Sequence, residues 1–161
     1  MLDGGAHFYN VYECADGGYV AVGAIEPQFY AALLEALGLA GEQLAEQMDM
    51  TAWPEMRKRF AEIFRTRTRD EWSDALEGTD ALVSPVLTWT EAKRHPHNVE
   101  RNVFPEVDGL KQPGPAPRFS RTPGAISRPA PTAGQHTDEA LKDWGFDESE
   151  IAALKDQGAI A

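Results

Sequence analysis

YVAVGAIEPQFYAALLEALGL, residues 19–39, changes its period halfway along. Tyr19-Val20-Ala21-Val22 is a run of β-forming residues and reads as a short strand. From Pro27 onward Phe29, Leu33 and Leu37 recur at helical spacing, with Tyr30 and Leu34 beside them, which predicts an amphipathic helix. Pro27 takes the first helical position, where its missing amide hydrogen costs nothing, and Gly38 is the stop. Glu26 stands between strand and helix. N-caps favour Ser, Thr, Asp or Asn, whose short side chains fold back onto the first free amides. A glutamate there needs another reason. One is structural: a carboxylate at the positive end of the helix dipole. The other is functional: strand-to-helix junctions put side chains at the rim of a sheet, where ligand sites form. Spacing alone leaves both open.

Upstream, "YNVYECADGGYVAVG" has apolar and aromatic residues on both sides of Asp16-Gly17-Gly18, the signature of a hairpin. Residues 1–10 read as a lead-in linker. Downstream, a helix is expected from Trp53 to Arg65, with Met56, Phe60, Ile63 and Phe64 on one face. Its other face carries Arg57, Lys58, Arg59 and Arg65. A solvated basic surface is the ordinary reading, and help for an anionic ligand is the alternative. Thr68 and Glu71 form a capping box that opens a helix through Trp72 and Leu76, stopped by Gly78. "ALVSPVL" is a strand candidate, and Pro85 within it points to a sheet edge. Thr88 and Glu91 open a brief helix that ends before His95-Pro96.

Eight of the eleven prolines lie between Pro96 and Pro131, without helical period. An extended crossing segment is expected there, laid along another surface. The tail regains order, with a helix capped by Thr137 through Leu141 and Trp144, then one opened by Asp147 and Glu150 through Ile151 and Leu154. The reading is α+β. Residues 11–95 form a small domain of short strands with flanking helices, 96–135 the proline-rich return segment, and 136–161 the C-terminal helices.

With 161 residues and a formal charge of −11, the chain does not suit nucleic acid, which demands clustered Lys and Arg, nor an anionic membrane surface. No apolar run approaches the ~20 residues of a membrane span. One cysteine, Cys14, cannot form an internal disulfide, and it reads as a small core residue. The first residues lack the pattern of a signal peptide. A soluble cytoplasmic protein is expected. His95 and His97 flank a proline without further metal ligands, so a polar turn is favoured over a metal site. Gly4-Gly5 and Gly17-Gly18 lack the context of a dinucleotide loop, and Ser84 is outside any nucleophile motif.

"ADGGYVAVGAIEPQFYAALLEALGL", "GTDALVSPVLTWTEAKRHPHNVERN", "PAPRFSRTPG" and "GQHTDEALKDWGFDESEIAALKDQGAI" resemble, in order, the C-terminal part of the alpha-methylacyl-CoA racemases, a branch of the family III CoA-transferases. "AIEPQFY" points to the racemase branch, and the tail pattern is common to the wider family. The resemblance implies a longer protein. Its first half is a Rossmann-like large domain holding a catalytic His and Asp and most CoA contacts, with the last helices docking on that domain. It also implies a homodimer of interlocked subunits and a 2-methylacyl-CoA substrate. No metal or redox cofactor is implied, CoA being part of the thioester. This chain begins midway through the family pattern, as a cut piece or a separately encoded half would. On the resemblance, Glu26 matches a catalytic glutamate of the small domain and Ile25 helps wall the acyl pocket. The chain by itself is expected to be inactive. The alternatives are a CoA-transferase portion, which would carry a glycine-rich loop before "YVAVGAIEPQ", and a non-catalytic assembly module.

Overall fold

The computed structural model describes residues 1–160. It divides into two compact units, with the boundary between Thr90 and Glu91.

In the first unit, β1 (Tyr9–Glu13) and β2 (Tyr19–Gly23) form the expected antiparallel hairpin, with Tyr9 opposite Gly23 and Glu13 opposite Tyr19. The turn closes because Asp16 Oδ1 accepts from the Gly18 amide at 3.1 Å, while Gly17 adopts φ +77°, a region that favours glycine. β2 leads into α1 (Pro27–Ala36), followed by α2 (Trp53–Phe64) and α3 (Arg69–Leu76). Thr68 and Glu71 make the predicted reciprocal capping box on α3. β3 (Val83–Val86) then pairs antiparallel with β2, giving the order β1-β2-β3. Pro85 therefore lies on an edge strand, where its missing donor is tolerated.

Val20 and Val22 point inward from β2, beneath Phe60 and Phe64 of α2 and Trp72 of α3. Tyr12 stacks on Phe64 with ring centroids 5.0 Å apart, and Phe64 meets Trp72 edge-on at 5.2 Å. Cys14 is buried in the same cluster. Burying each such aromatic or aliphatic side chain contributes roughly 1.5–3 kcal/mol. The opposite face of the sheet is open, with Val11, Tyr19 and Val86 all exposed.

One expectation changes in this unit. Residues 1–10 are more than a linker. Ala6 and Phe8 are fully buried, His7 is buried with them, and Tyr9 already belongs to β1. The His7 ring meets Phe8, Tyr30 and Phe60 edge-on, and its one filled hydrogen bond is to a residue far along the chain. Local pattern carries no trace of such a partner.

α4 (Trp89–Ala92) spans the boundary. In the second unit, the proline-rich stretch is only partly extended. Pro96 starts α5 (Pro96–Glu100) at the first helical position, the placement proline favours. β4 (Glu106–Val107) and β5 (Leu110–Lys111) form a hairpin around Asp108-Gly109, both with positive φ, at 53° and 76°. Residues 112–136 carry neither helix nor strand. α6 (Thr137–Asp143) begins with His136, not Thr137, at the N-cap, and no side-chain cap bond is made. α7 (Glu148–Asp156) has the predicted capping box of Asp147 and Glu150. The architecture is α+β.

Candidate active site

Glu26 occupies the N-cap of α1 with extended backbone, φ −71° and ψ 142°. Its carbonyl accepts from the Tyr30 amide at 2.9 Å and so starts the helix. Its side chain makes no capping bond, and its carboxylate is exposed with no ion pair among the described residues. Glutamate is one methylene longer than aspartate, so it reaches outward where a capping aspartate would fold back. Ile25 is half-buried and packs against the core.

Two distant side chains hold this junction. On the strand side, Gln47 Nε2 donates to the carbonyls of Ala24 at 3.2 Å and Ile25 at 2.8 Å. On the helix side, Tyr30, in the first turn of α1, shares a 2.8 Å hydrogen bond with His7 Nε2. Burial lowers the His7 pKa from 6.5 to about 4 and pushes Tyr30 up to about 12, because the interior disfavours either charged form. His7 is thus neutral at neutral pH. The Tyr12 hydroxyl donates to the His7 carbonyl at 2.6 Å, pinning the same segment from β1.

The open sheet face forms the floor of a cleft of about 600 Å³. Tyr9, Val11, Ala21 and Gly23 give it an apolar surface, Ser84 adds a hydroxyl, and the loop at Leu2 to Gly4 is one wall. The Gly4 carbonyl that fixes this wall accepts from Asn10 Nδ2 at 2.8 Å and from Arg57 Nη1 at 3.3 Å. Small residues make the space: Gly23 faces Tyr9 across the ladder, and Ala21 lies between Val11 and Ser84. β2 ends at Gly23, so the chain passes from the cleft floor into Ile25 and Glu26. Ile25 itself does not line this cleft. The sequence reading passed over Leu2, Tyr9 and Ala21. The signal was present as the outward positions of a period-two strand, but nothing local says which sheet face stays uncovered.

The basic face of α2 is taken up within the chain. Arg59 pairs with Glu42 at 2.6 Å, Arg65 with Glu13 at 2.9 Å and Lys58 with Glu55 at 3.4 Å, while Arg57 reaches Gly4. This is the solvated helix face of the ordinary reading. Gly17 and Gly18 close the β1–β2 turn. Among the described residues, no three His, Cys, Asp or Glu side chains gather as metal ligands, and no helix is long and apolar enough to cross a membrane.

The chain is 51% identical to the alpha-methylacyl-CoA racemase of Mus musculus over 96% of its own length and 41% of that protein. It is 47% identical to the Homo sapiens protein of the same name over 99% of its length and 42% of that protein. It therefore spans about two fifths of the relatives it matches. The crystal structure of Rv3272 from M. tuberculosis shares the fold, with a TM-score of 0.62 at 22% identity, covering 81% of this chain and 37% of that one. The sequence profile that matches residues 2–137 is that of CoA-transferase family III, and the chain belongs to this family.

Proposed function

We propose that this chain is the C-terminal portion of a racemase that epimerises 2-methylacyl-CoA thioesters, and that Glu26 serves the proton transfer. The observation that carries the reading is the carboxylate of Glu26, presented outward from a braced strand-to-helix junction without a partner among the described residues. The near relatives that bear the racemase name support it.

Racemisation breaks the Cα–H bond, sends its electron pair to the thioester oxygen as an enolate, and returns a proton to the opposite face. Atoms and electrons balance without a co-reactant. The thioester acidifies the α-proton, and the enolate needs donors near its oxygen. One group takes the proton and another gives it, so their environments must set their proton affinities apart. In this scheme a His and an Asp of a Rossmann-like large domain, outside this chain, fill those roles. Glu26 hydrogen-bonds the His and stabilises its positive charge, across the interface of interlocked subunits. The apolar cleft over Tyr9, Val11 and Ala21 receives the acyl chain, with Ile25 as an apolar neighbour of the carboxylate. The scheme asks for no metal or redox cofactor. The chain alone lacks the acid–base pair and is inactive, folding as one partner of the site.

Glu26→Gln in the complete protein tests this. It keeps shape and hydrogen bonding but removes the charge. General acid–base groups contribute ~10²–10⁴-fold, so exchange of the α-proton for solvent deuterium on a 2-methylacyl-CoA should fall about tenfold or more in kcat. KM and melting temperature should hold, since the charge acts on the developing imidazolium and not on the CoA handle. Unchanged exchange with a lowered melting temperature would return Glu26 to a helix-end charge. Transfer of CoA to a carboxylic acid without α-proton exchange would replace racemisation by the transferase reading.

A further inference from the structure

We infer that Gln47, locked in place by Trp53, is a positioning residue for Glu26. The inference rests on the catalytic reading of Glu26 and extends it to a residue twenty-one positions away. The Glu26 side chain makes no capping bond of its own, so the point from which it projects is set by the backbone beneath it. That backbone has left the sheet at Gly23 and has not yet entered the helix, so the carbonyls of Ala24 and Ile25 lie outside both regular elements. Such groups need donors when they are held away from water. One side-chain amide supplies both, at 3.2 and 2.8 Å. Both partners are carbonyl oxygens, so the amide must present its nitrogen to them.

Gln47 is itself in residues 37–52, which form no helix or strand. It is held by the indole of Trp53, whose Nε1–H donates to the Gln47 carbonyl at 2.9 Å. Trp53 is buried and meets Phe8 edge-on, with ring centroids 5.8 Å apart. A line of contacts thus runs from the aromatic core through the Trp53 indole and the Gln47 amide to the peptide units that carry Glu26. Acid–base groups work only within hydrogen-bond reach, and a misplacement of about 1 Å can cost ~10²-fold in rate. The clamp removes that freedom at Ala24 and Ile25.

Gln47→Met tests the clamp, since methionine keeps the length and packing but has no donor. In this chain, the Ile25 amide, which donates to the Gly23 carbonyl at 3.0 Å, should exchange about tenfold faster while the amide of Phe60 in the core keeps its rate. In the complete protein, kcat for α-proton exchange should fall about tenfold with KM near its original value, and the same change made in Glu26→Gln should cost nothing further. Unchanged amide exchange overturns the clamp whatever turnover does. Faster amide exchange with a kcat loss that adds fully to that of Glu26→Gln overturns the positioning role. If Glu26→Gln alone leaves turnover intact, the catalytic reading fails and takes the positioning role with it, while the amide arm still reports on the clamp by itself.

Discussion

Acidification should destabilise the first unit through His7, at a pH where most carboxylates are still ionised. His7 is 1% exposed, and burial takes its pKa from 6.5 to about 4. The unfolded chain therefore binds a proton that the folded chain refuses. Between those two values stability rises with pH, and it is lost as pH falls from about 6.5 toward 4. Each unit of pKa is worth about 1.36 kcal/mol, so the whole window carries roughly 3 kcal/mol, of which about 1.5–2 falls between pH 6 and 4.5. That is a large share of the stability of a small domain. The groups around the ring offer no relief: Tyr30 on α1 and Tyr12 on β1 are neutral there, and Phe60 is apolar. His7→Leu removes the titration. It also leaves the buried Tyr30 hydroxyl without its partner, at a cost of about 1–3 kcal/mol at every pH. The assay is urea unfolding followed by tryptophan fluorescence, where buried Trp53 and Trp72 report on the first unit. The slope of stability against pH should be steep in the native sequence and nearly flat in His7→Leu from pH 6 to 4.5. Carboxylates held low by hydrogen bonds, such as Asp49 and Glu71, give way at lower pH and in both proteins alike. Parallel curves for the two proteins would refute the reasoning, for His7 would then not be charging on unfolding.

Phe60→Ala should cost about 3–5 kcal/mol in the same urea assay, because Phe60 is fully buried among His7 and Tyr12 and its removal leaves a cavity. Ala21→Leu points into the cleft from β2 and should change stability by no more than about 0.5 kcal/mol, the usual range for a change away from the core. If the cleft takes the acyl chain, that variant of the complete protein should show a raised KM for bulky 2-methylacyl-CoA and little change for the shortest one. Equal effects on all chain lengths would move the acyl site elsewhere.

Only the strand-to-helix junction of the candidate site was legible in the residues. Glu26 stands out because it breaks a local rule, and a helix start is read within four positions. The resemblance in "AIEPQFY" then gave it a chemical role to test. The cleft and the clamp were not legible. Ala21 and Gly23 are unremarkable small residues in a strand, and only the placement of α2 and α3 on the other face makes them a floor. Gln47 looks like any polar loop residue until its amide meets the carbonyls of Ala24 and Ile25.

Features that depend on near neighbours could be read from the residues alone. The β1–β2 hairpin follows from Asp16-Gly17-Gly18, and the starts of α3 and α7 from capping boxes whose bonds close over three residues. The same logic was present but masked by prolines at Pro96 and Asp108-Gly109, where a helix start and a tight turn lay inside an apparently extended segment. Tertiary structure alone decided the rest. A histidine in the core is acceptable only because a tyrosine twenty-three residues later meets it, and the lead-in residues become core only because Phe60 and Trp53 close over them. Turns and caps are satisfied within a few residues, so their cause is written beside them. Burial and long-range hydrogen bonds are satisfied by partners that the chain brings close only when it folds.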